Sequence, residues 1–419
     1  MSILIEILKI PGFIIGVITM LGLIMLKKPI NKILYGTLKT ILGFFILTLG
    51  VEIISKGFQS FETLFIQAFQ IQGIYLDDNI VIGTMMSDKG DTIGIIMVIG
   101  FLFHLLIARF TPMKLIYLTG HKIWHLSGAI ILAFYSVNIH GLRLIIYGSI
   151  ILGIFMSLQP FILQPWIEKI TGNNKFGMGH TISLLVIFAS IVGKYLGSSQ
   201  PKIEYDQNFN YKKIIEELSI SLTFIIFIMF LLPVFILDTP TLNEIAKNNN
   251  PIVYVIGESL KVASGMIIVL KGVEMFLKEL IPAFEGIAKK IVPNAKPALD
   301  VPVFFSYAPQ GVSIGLIASF IGWVLSTYVC RLLQLPIIPV PSMMGIMFGG
   351  TILGVFGFCT GAKRGAIMAS FLGGFFWPVF VSFLFPLINL QDYGAASMGI
   401  LTPDLYIIAV IVRFITRFI

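Results

Sequence analysis

The chain reads as an all-α polytopic membrane protein of about 10–12 transmembrane helices, some of them broken or re-entrant. Of its 419 residues, 57% are hydrophobic and only 12% charged, and the mean hydropathy is +0.94. No soluble fold hides that much apolar surface behind so few charges. Apolar runs close to the ~20 residues that a helix needs to cross a bilayer follow one another almost end to end. These runs lack the two-residue alternation of barrel strands, so the spans are helical.

In order, the candidate spans are residues 10–27, 36–56, 92–110, 122–138, 141–158, 181–197, 219–238, 252–277, 312–333, 336–358, 365–388 and 399–419. The basic residues that make up the net charge of +8 sit in ones, twos and threes at the edges of these runs. That pattern serves orientation and headgroup contact and is not a nucleic-acid footprint. Lys27, Lys28 and Lys32 gather after the first run, which places that loop on the cytoplasmic side and the N-terminus outside. Met1 to Pro11 has no basic stretch leading to a short apolar core and a small-residue cleavage site, so the first span is expected to remain. The two cysteines, Cys330 and Cys359, fall inside apolar runs and are expected to be small buried side chains rather than a disulfide or metal ligands.

The chain also repeats itself. LKTILGFFILTLGVEII (38–54) returns as LKVASGMIIVLKGVEMF (260–276), with Gly50-Val51-Glu52 matching Gly272-Val273-Glu274, and the same 222-residue offset carries Asp78 onto Asp300. Residues 1–200 are therefore expected to form a first membrane repeat and 251–419 a second. Between them, 201–250 supply a connecting loop, one span and the exposed turn TPTLNEIAKNNNP (239–251). Two related half-units in a membrane are the pattern of a transporter, since they can rock about a site held between them. Glu52 and Glu274 occupy equivalent turns and are expected to pair with lysines such as Lys56 and Lys271.

Three segments resist reading as simple spans. Residues 282–309 carry prolines at 282, 293, 297, 302 and 309, residues 70–92 are interrupted by charges and glycines, and LPIIPVP (335–341) is a third break. Irregular backbone is tolerated at membrane depth only when shielded from lipid. Breaks at matching places in two repeats point to a transport site. Asp300 lies within one such break, where a carboxylate is either functional or tied up as a cap or an ion pair with Lys289, Lys290 or Lys296. Its mate Asp78, beside Asp77 and Asn79, is expected to be the more exposed of the two.

His121 and His125 stand one helical turn apart, and His180 follows a flexible Gly-Met-Gly. Such histidines can ligate zinc, can be hydrogen-bonded inside a bundle, or can offer a donor and an acceptor to a hydroxyl-rich solute. Nucleophile elbows, P-loops and the HExxH zinc motif are absent from the sequence.

The motifs LTGH (118–121), FGMGH (176–180), AFEGIAKKIVP (283–293), ALDVPVFFSYAP (298–309) and LGVFGFCTGAKRGA (353–366) resemble the integral-membrane IIC component of the ascorbate-type phosphotransferase system, from about Ile15 to Ile415. The resemblance implies a multi-pass protein of the bacterial plasma membrane, a homodimer whose protomers each have a scaffold and a core built from inverted repeats, and no cofactor. It also implies a sugar-like solute carried inward and phosphorylated by a separate soluble IIB protein, itself charged by IIA. The family's ligand positions fall on His121, His180 and Asp300, and Ser306 lies in the same signature. At other contact positions the chain departs from the family. His125 and Thr181 stand where the family has Gln, and Asp78-Asn79-Ile80 lacks the family's Tyr. A carboxamide offers donors and an acceptor where Thr offers one hydroxyl. The substrate expected is therefore ascorbate or a related sugar acid, pentose or polyol. The competing reading is an ion-coupled transporter of the same fold in which Asp300 and the histidines titrate without any phosphorylation.

Overall fold

Lipid offers no hydrogen bonds, so every backbone N–H and C=O at membrane depth must be bonded within the protein. The computed structural model describes residues 11–70, 73–198, 211–246, 249–290, 292–388 and 398–415, and meets this demand mainly with helices. In chain order they begin with α1 (Pro11–Met25) and α2 (Ile30–Phe69), then β1 (Tyr75–Leu76), α3 (Asp78–Thr84) and α4 (Met86–Phe110). There follow β2 (Leu115–Tyr117), α5 (Gly120–Tyr135), α6 (Gly141–Thr171), β3 (Gly177–Met178) and α7 (Ser183–Leu196). The second part holds α8 (Tyr211–Val234), α9 (Thr239–Ile245), α10 (Pro251–Lys290), β4 (Lys296–Leu299), α11 (Pro302–Phe305) and α12 (Pro309–Leu332). It closes with α13 (Met343–Gly345), which runs through one π-helical stretch into α14 (Thr351–Leu384), and with β5 (Met398–Gly399) and α15 (Pro403–Ile415).

Among the described residues, six helical stretches are long and apolar enough to cross a membrane, and three shorter apolar helices accompany them. Their outer faces are bare hydrocarbon. On α4, Val98, Leu102 and Leu106, one turn apart, are each more than half exposed. A surface of that kind suits acyl chains and not water. The chain is thus an all-α, multi-pass membrane protein.

The two 40-residue helices α2 and α10, which hold the repeated sequence, pack antiparallel at very close range. A Cβ on Gly272 would lie 2.4 Å from the Leu47 amide nitrogen and 2.7 Å from the Gly43 carbonyl oxygen. A Cβ on Gly50 would lie 2.7 Å from the Gly265 carbonyl oxygen. Gly43 and Gly265 are one repeat pair and Gly50 and Gly272 the other, so shifting by 222 residues exchanges the two contacts. At one end Lys39 pairs with Glu279 at 2.8 Å, and towards the other Lys261 pairs with Glu258 at 2.7 Å. Partly exposed pairs of this kind add little next to the glycine contact. Glu274 bonds Lys271 and Lys278, as its spacing allows.

α14 is a helical hairpin. Gly361 (φ −152°) and Ala362 (φ 53°, ψ −156°) leave helical geometry, and the chain turns back on itself. Gly357 then faces Gly365, where an added Cβ would lie 2.6 Å from the carbonyl oxygen, and Gly373 packs on Leu353. The separate spans read at 336–358 and 365–388 are these two arms.

Short strands fill the broken segments. β4 lies between β2 and β3, all parallel. β1 pairs in parallel with β5 and, through an isolated Ile74–Pro339 bridge, with the 335–341 break. Each strand of one sheet stands about 222 positions from its counterpart in the other. β1 corresponds to β4, β3 to β5, and β2 to the segment around Ile338.

Two expectations need correcting. The break that begins at Pro282 starts later, because α10 runs through Pro282 to Lys290. Proline forfeits one backbone bond there, and the flanking turns continue the helix. The exposed turn at 239–251 is helical over Thr239–Ile245, with Pro240 in the first turn, where its missing N–H costs nothing. Most of the loop at 198–217 precedes Tyr211 and lies outside the described residues.

The glycine seam gives a direct test. Gly272→Val must push α2 and α10 apart, since the atoms in its way are backbone, and should cost about 1–3 kcal/mol. Gly83→Ala, with nothing within 4 Å of the added carbon, should leave stability within about 0.5 kcal/mol. Thermal unfolding of the purified variants in detergent would separate the two.

Candidate functional site

Parallel strands that share a direction also share an exit edge, and the site is built on that edge. β2 ends at Tyr117, four residues before His121, β3 ends two residues before His180, and β4 ends immediately before Asp300. The Leu118 amide donates to the Ala298 carbonyl (3.1 Å) and the Gly179 amide to the Leu299 carbonyl (2.9 Å), so the ladder continues to the edge of the site. Three residues spread over 180 positions of sequence thereby meet at one place. One ligand-capable atom each from His121, His180 and Asp300 lies within 4.8 Å of the other two.

His121 Nδ1 stands 3.9 Å from Asp300 Oδ2, and His180 Nε2 stands 3.7 Å from Asp300 Oδ1. Both gaps exceed a hydrogen bond. They also exceed the ~3.4 Å spacing that ligands adopt around a tetrahedral zinc with bonds near 2.0–2.1 Å. The spacing suits a polar group placed between carboxylate and imidazoles better than it suits a metal. The surroundings are short of partners too. Among the described residues, the hydroxyls of Tyr117, Thr119 and Thr181 and the Nδ1 of His180 are buried without a hydrogen bond. Buried polar atoms left in that state mark a place where water or a ligand belongs. A cavity of ≈ 20 Å³ opens beside Thr119 and Asp300 and is walled on its far side by Ile15, Phe44, Leu47 and Leu280. It has room for a water and not for a sugar.

The other carboxylate is spoken for. Asp78 Oδ1 accepts from the amides of Leu401 (2.7 Å) and Thr402 (3.2 Å), and Oδ2 accepts from the Thr402 hydroxyl (2.9 Å) and the Lys122 ammonium (3.3 Å). His125 Nδ1 lies 3.8 Å from the same Oδ2. Contrary to expectation, Asp78 is the more buried of the two aspartates, with its side chain 2% exposed against 13% for Asp300. Four donors offset the loss of hydration. Asp404 is also engaged, accepting from the amides of Ser183 (2.7 Å) and Leu184 (3.1 Å) at the start of α7.

Of the residues singled out in the sequence, His121, His180 and Asp300 converge, and Thr181 is buried next to them in the chain. His121 and His125 have ring centroids 5.8 Å apart, but His125 turns towards Asp78. The Ser306 hydroxyl donates to the Val303 carbonyl (3.2 Å). The side chain of Asn79 lies outside the described residues, as does that of Lys289. Lys296, a possible partner of Asp300, bonds Asn174 instead, and Lys290 is exposed. Sequence reading passed over Lys122, Thr402 and Asp404. A signal existed for each. Lys122 is a lone cation between two histidines at the start of an apolar helix, and Thr402 is the 222-residue mate of His180.

A multi-pass bundle with a desolvated polar cluster, held on broken segments and walled by apolar helices, defines a membrane permease. The sequence profile of the PTS system sugar-specific permease component, EIIC-GAT, matches residues 6–404, and the chain belongs to that family. It is a IIC component, seated in the cell membrane. It is also similar to the ascorbate-specific PTS system EIIC component of Mycoplasma pneumoniae, with 24% identity over an alignment that covers 93% of this chain and 67% of that protein.

Lys122 and Asp78 should behave as a unit. Asp78→Ala strands a buried ammonium and should cost about 3–5 kcal/mol, whereas Asp78→Asn combined with Lys122→Met should recover most of that loss. Thermal stability of Asp78→Asn, Lys122→Met and the double variant, measured beside Asp78→Ala, would give the coupling.

Proposed function

We propose that this IIC component takes up ascorbate or a related sugar acid or polyol, and that a separate IIB protein phosphorylates the solute as it emerges. The supporting observation is the convergence of His121, His180 and Asp300 around a gap too wide for direct bonds, with unpartnered hydroxyls buried nearby. Asp300 accepts from solute hydroxyls, while His121 and His180 donate to a ring or enediol oxygen. Thr181 supplies a hydroxyl at the place where the family carries a longer carboxamide, which leaves space for a solute of slightly different outline. His125 and Asp78 hold the floor of the site through Lys122.

The duplicated strand and helix pattern supports two inverted repeats, residues 1–200 and 251–419, joined by 201–250. In this reading α2 and α10 form the scaffold against which the core slides, and the functional unit is a homodimer. Phosphoryl transfer breaks the S–P bond of a IIB phosphocysteine and forms an O–P bond to the solute, whose hydroxyl proton is released. The charged product cannot recross, so direction comes from the chemistry and needs no ion gradient.

Uptake of labelled ascorbate, pentoses and polyols into vesicles, with and without phosphorylated IIB inside, tests this reading. One solute class is expected to accumulate as its phosphate only when phospho-IIB is present. Asp300→Asn is expected to lower that rate by on the order of 100-fold while thermal stability stays within about 1 kcal/mol. Accumulation that persists without IIB and collapses with a protonophore would instead identify an ion-coupled carrier.

A further inference from the structure

One motif of the sequence has no part in the solute site. LGVFGFCTGAKRGA (353–366) forms the turn of the α14 hairpin, where Gly361 and Ala362 reverse the chain and Lys363 and Arg364 stand exposed directly after them. The turn is tightly held. A Cβ on Gly361 would lie 2.0 Å from the Gly193 carbonyl oxygen, and the Ser198 amide donates to the Gly361 carbonyl (3.0 Å). Ala362, at φ 53° and ψ −156°, occupies a region that side-chain-bearing residues avoid, at a cost of order 1–3 kcal/mol. The fold bears strain at that point to present two cations from a rigid tip.

Those cations have company. Lys194 is exposed on α7, one residue beyond the Gly193 that packs on the tip. Lys169, at the end of α6, lies within electrostatic reach of Cys359, two residues before Gly361. Phe176 packs tilted against Phe304 (6.0 Å between centroids) and Phe304 against Phe356 (6.4 Å), which brings the exposed Lys175 and the Lys296–Asn174 pair to the same end of the molecule. β4 starts at that end and leads to Asp300, so the basic face and the solute site are joined by four residues of strand.

The charge is not a by-product of the repeat. The hairpin formed by α5 and α6 is the 222-residue counterpart of α14, and its residues at the matching positions are Gly141 and Leu142. That tip has an exposed cation of its own one position later, Arg143, but only the α14 tip sets two cations side by side, directly after the residues that reverse the chain. Excess positive charge belongs on the cytoplasmic side, the side on which a phosphate donor would wait.

We propose that the face centred on Lys363 and Arg364, with Lys169 and Lys194, is the docking surface for the phosphorylated IIB protein, receiving an acidic rim and the doubly charged phosphothiol. This rests on the function proposed above and names the surface through which it works. A rigid basic tip beside the strand that ends at Asp300 would steer the donor by charge and fix its register over the emerging solute.

The test uses the full-length protein in vesicles, with the phosphorylated IIB of an ascorbate-type system as probe. Two rates are measured: solute exchange without IIB, and phospho-IIB-dependent uptake as a function of IIB concentration. For Lys363→Glu with Arg364→Glu, exchange should match wild type, while the KM for IIB rises by on the order of tenfold. For wild type, that KM should rise with salt. An unchanged KM in the variant overturns the proposal. So does parallel loss of both rates in this variant and in Lys363→Gln with Arg364→Gln, which would assign the cations to insertion or folding. A deficit that disappears in vesicles of phosphatidylcholine alone would assign the face to anionic lipid and likewise overturns it. Wild type that exchanges solute but never uses phospho-IIB would refute the function proposed above, and is distinguishable from these results.

Discussion

The short strands among the described residues answer to one constraint: backbone amides in the membrane interior must find partners without water. Two polar sites at membrane depth need irregular backbone to aim their side chains, and irregular backbone leaves amides unbonded. The protein resolves the conflict with two small parallel ladders. In one, β4 pairs with β2 and β3, and in the other, β1 pairs with β5 and the segment around Ile338. Strands of two to four residues are too short to stand alone. Packed beneath long helices, they satisfy the chain while three loops leave the same edge pointing inward. Parallel pairing is what makes this possible, because antiparallel neighbours would send alternate loops to opposite edges.

Two parallel ladders of the same kind hold two sites with opposite chemistry. At the Asp78 edge, the next strand delivers Leu401 and Thr402, whose amides and hydroxyl saturate the carboxylate, and Lys122 neutralises it. At the Asp300 edge the residue in the place of Thr402 is His180, and its imidazole stops 3.7 Å short. One exchange, Thr for His, accompanies the change from a closed structural knot to an open one. The saturated site offers nothing to a solute, since every lone pair that could bind it is in use. The open one keeps a carboxylate, two imidazoles and several hydroxyls for a guest.

The helical class and most of the span positions were legible because hydrophobic runs of the right length leave a compositional mark. His121, His180 and Asp300 were legible through the family resemblance and through the rarity of charge in apolar sequence. Lys122 was not, because a single lysine at a helix start looks like an ordinary interfacial anchor until its partner is known. Nor was the burial of Asp78, which depends on donors from Leu401 and Thr402, 323 and 324 positions away. Pro282 misled in the other direction. Proline weakens a helix locally, but the long apolar faces of α10 pack against α1, α2 and α8, and tertiary contact overrides the local cost. The α14 hairpin turn, a glycine followed by a strained alanine, carries no standard turn signature.

In the proposed function, phosphorylation does more than trap the solute. The Asp300 carboxylate suits a neutral hydroxyl or a singly charged acid balanced by imidazole donors. It does not suit a phosphate ester carrying about −1.5 to −2 charges. At a separation of about 6 Å and an effective dielectric near 20, repulsion between such a phosphate and a carboxylate amounts to a few kcal/mol, enough to turn a retained solute into an expelled one. The group that selects the solute on entry is then the one that ejects the product. A carboxylate left unsaturated by its own fold, beside a basic face that attracts the donor, would let a single chemical step supply recognition, direction and release.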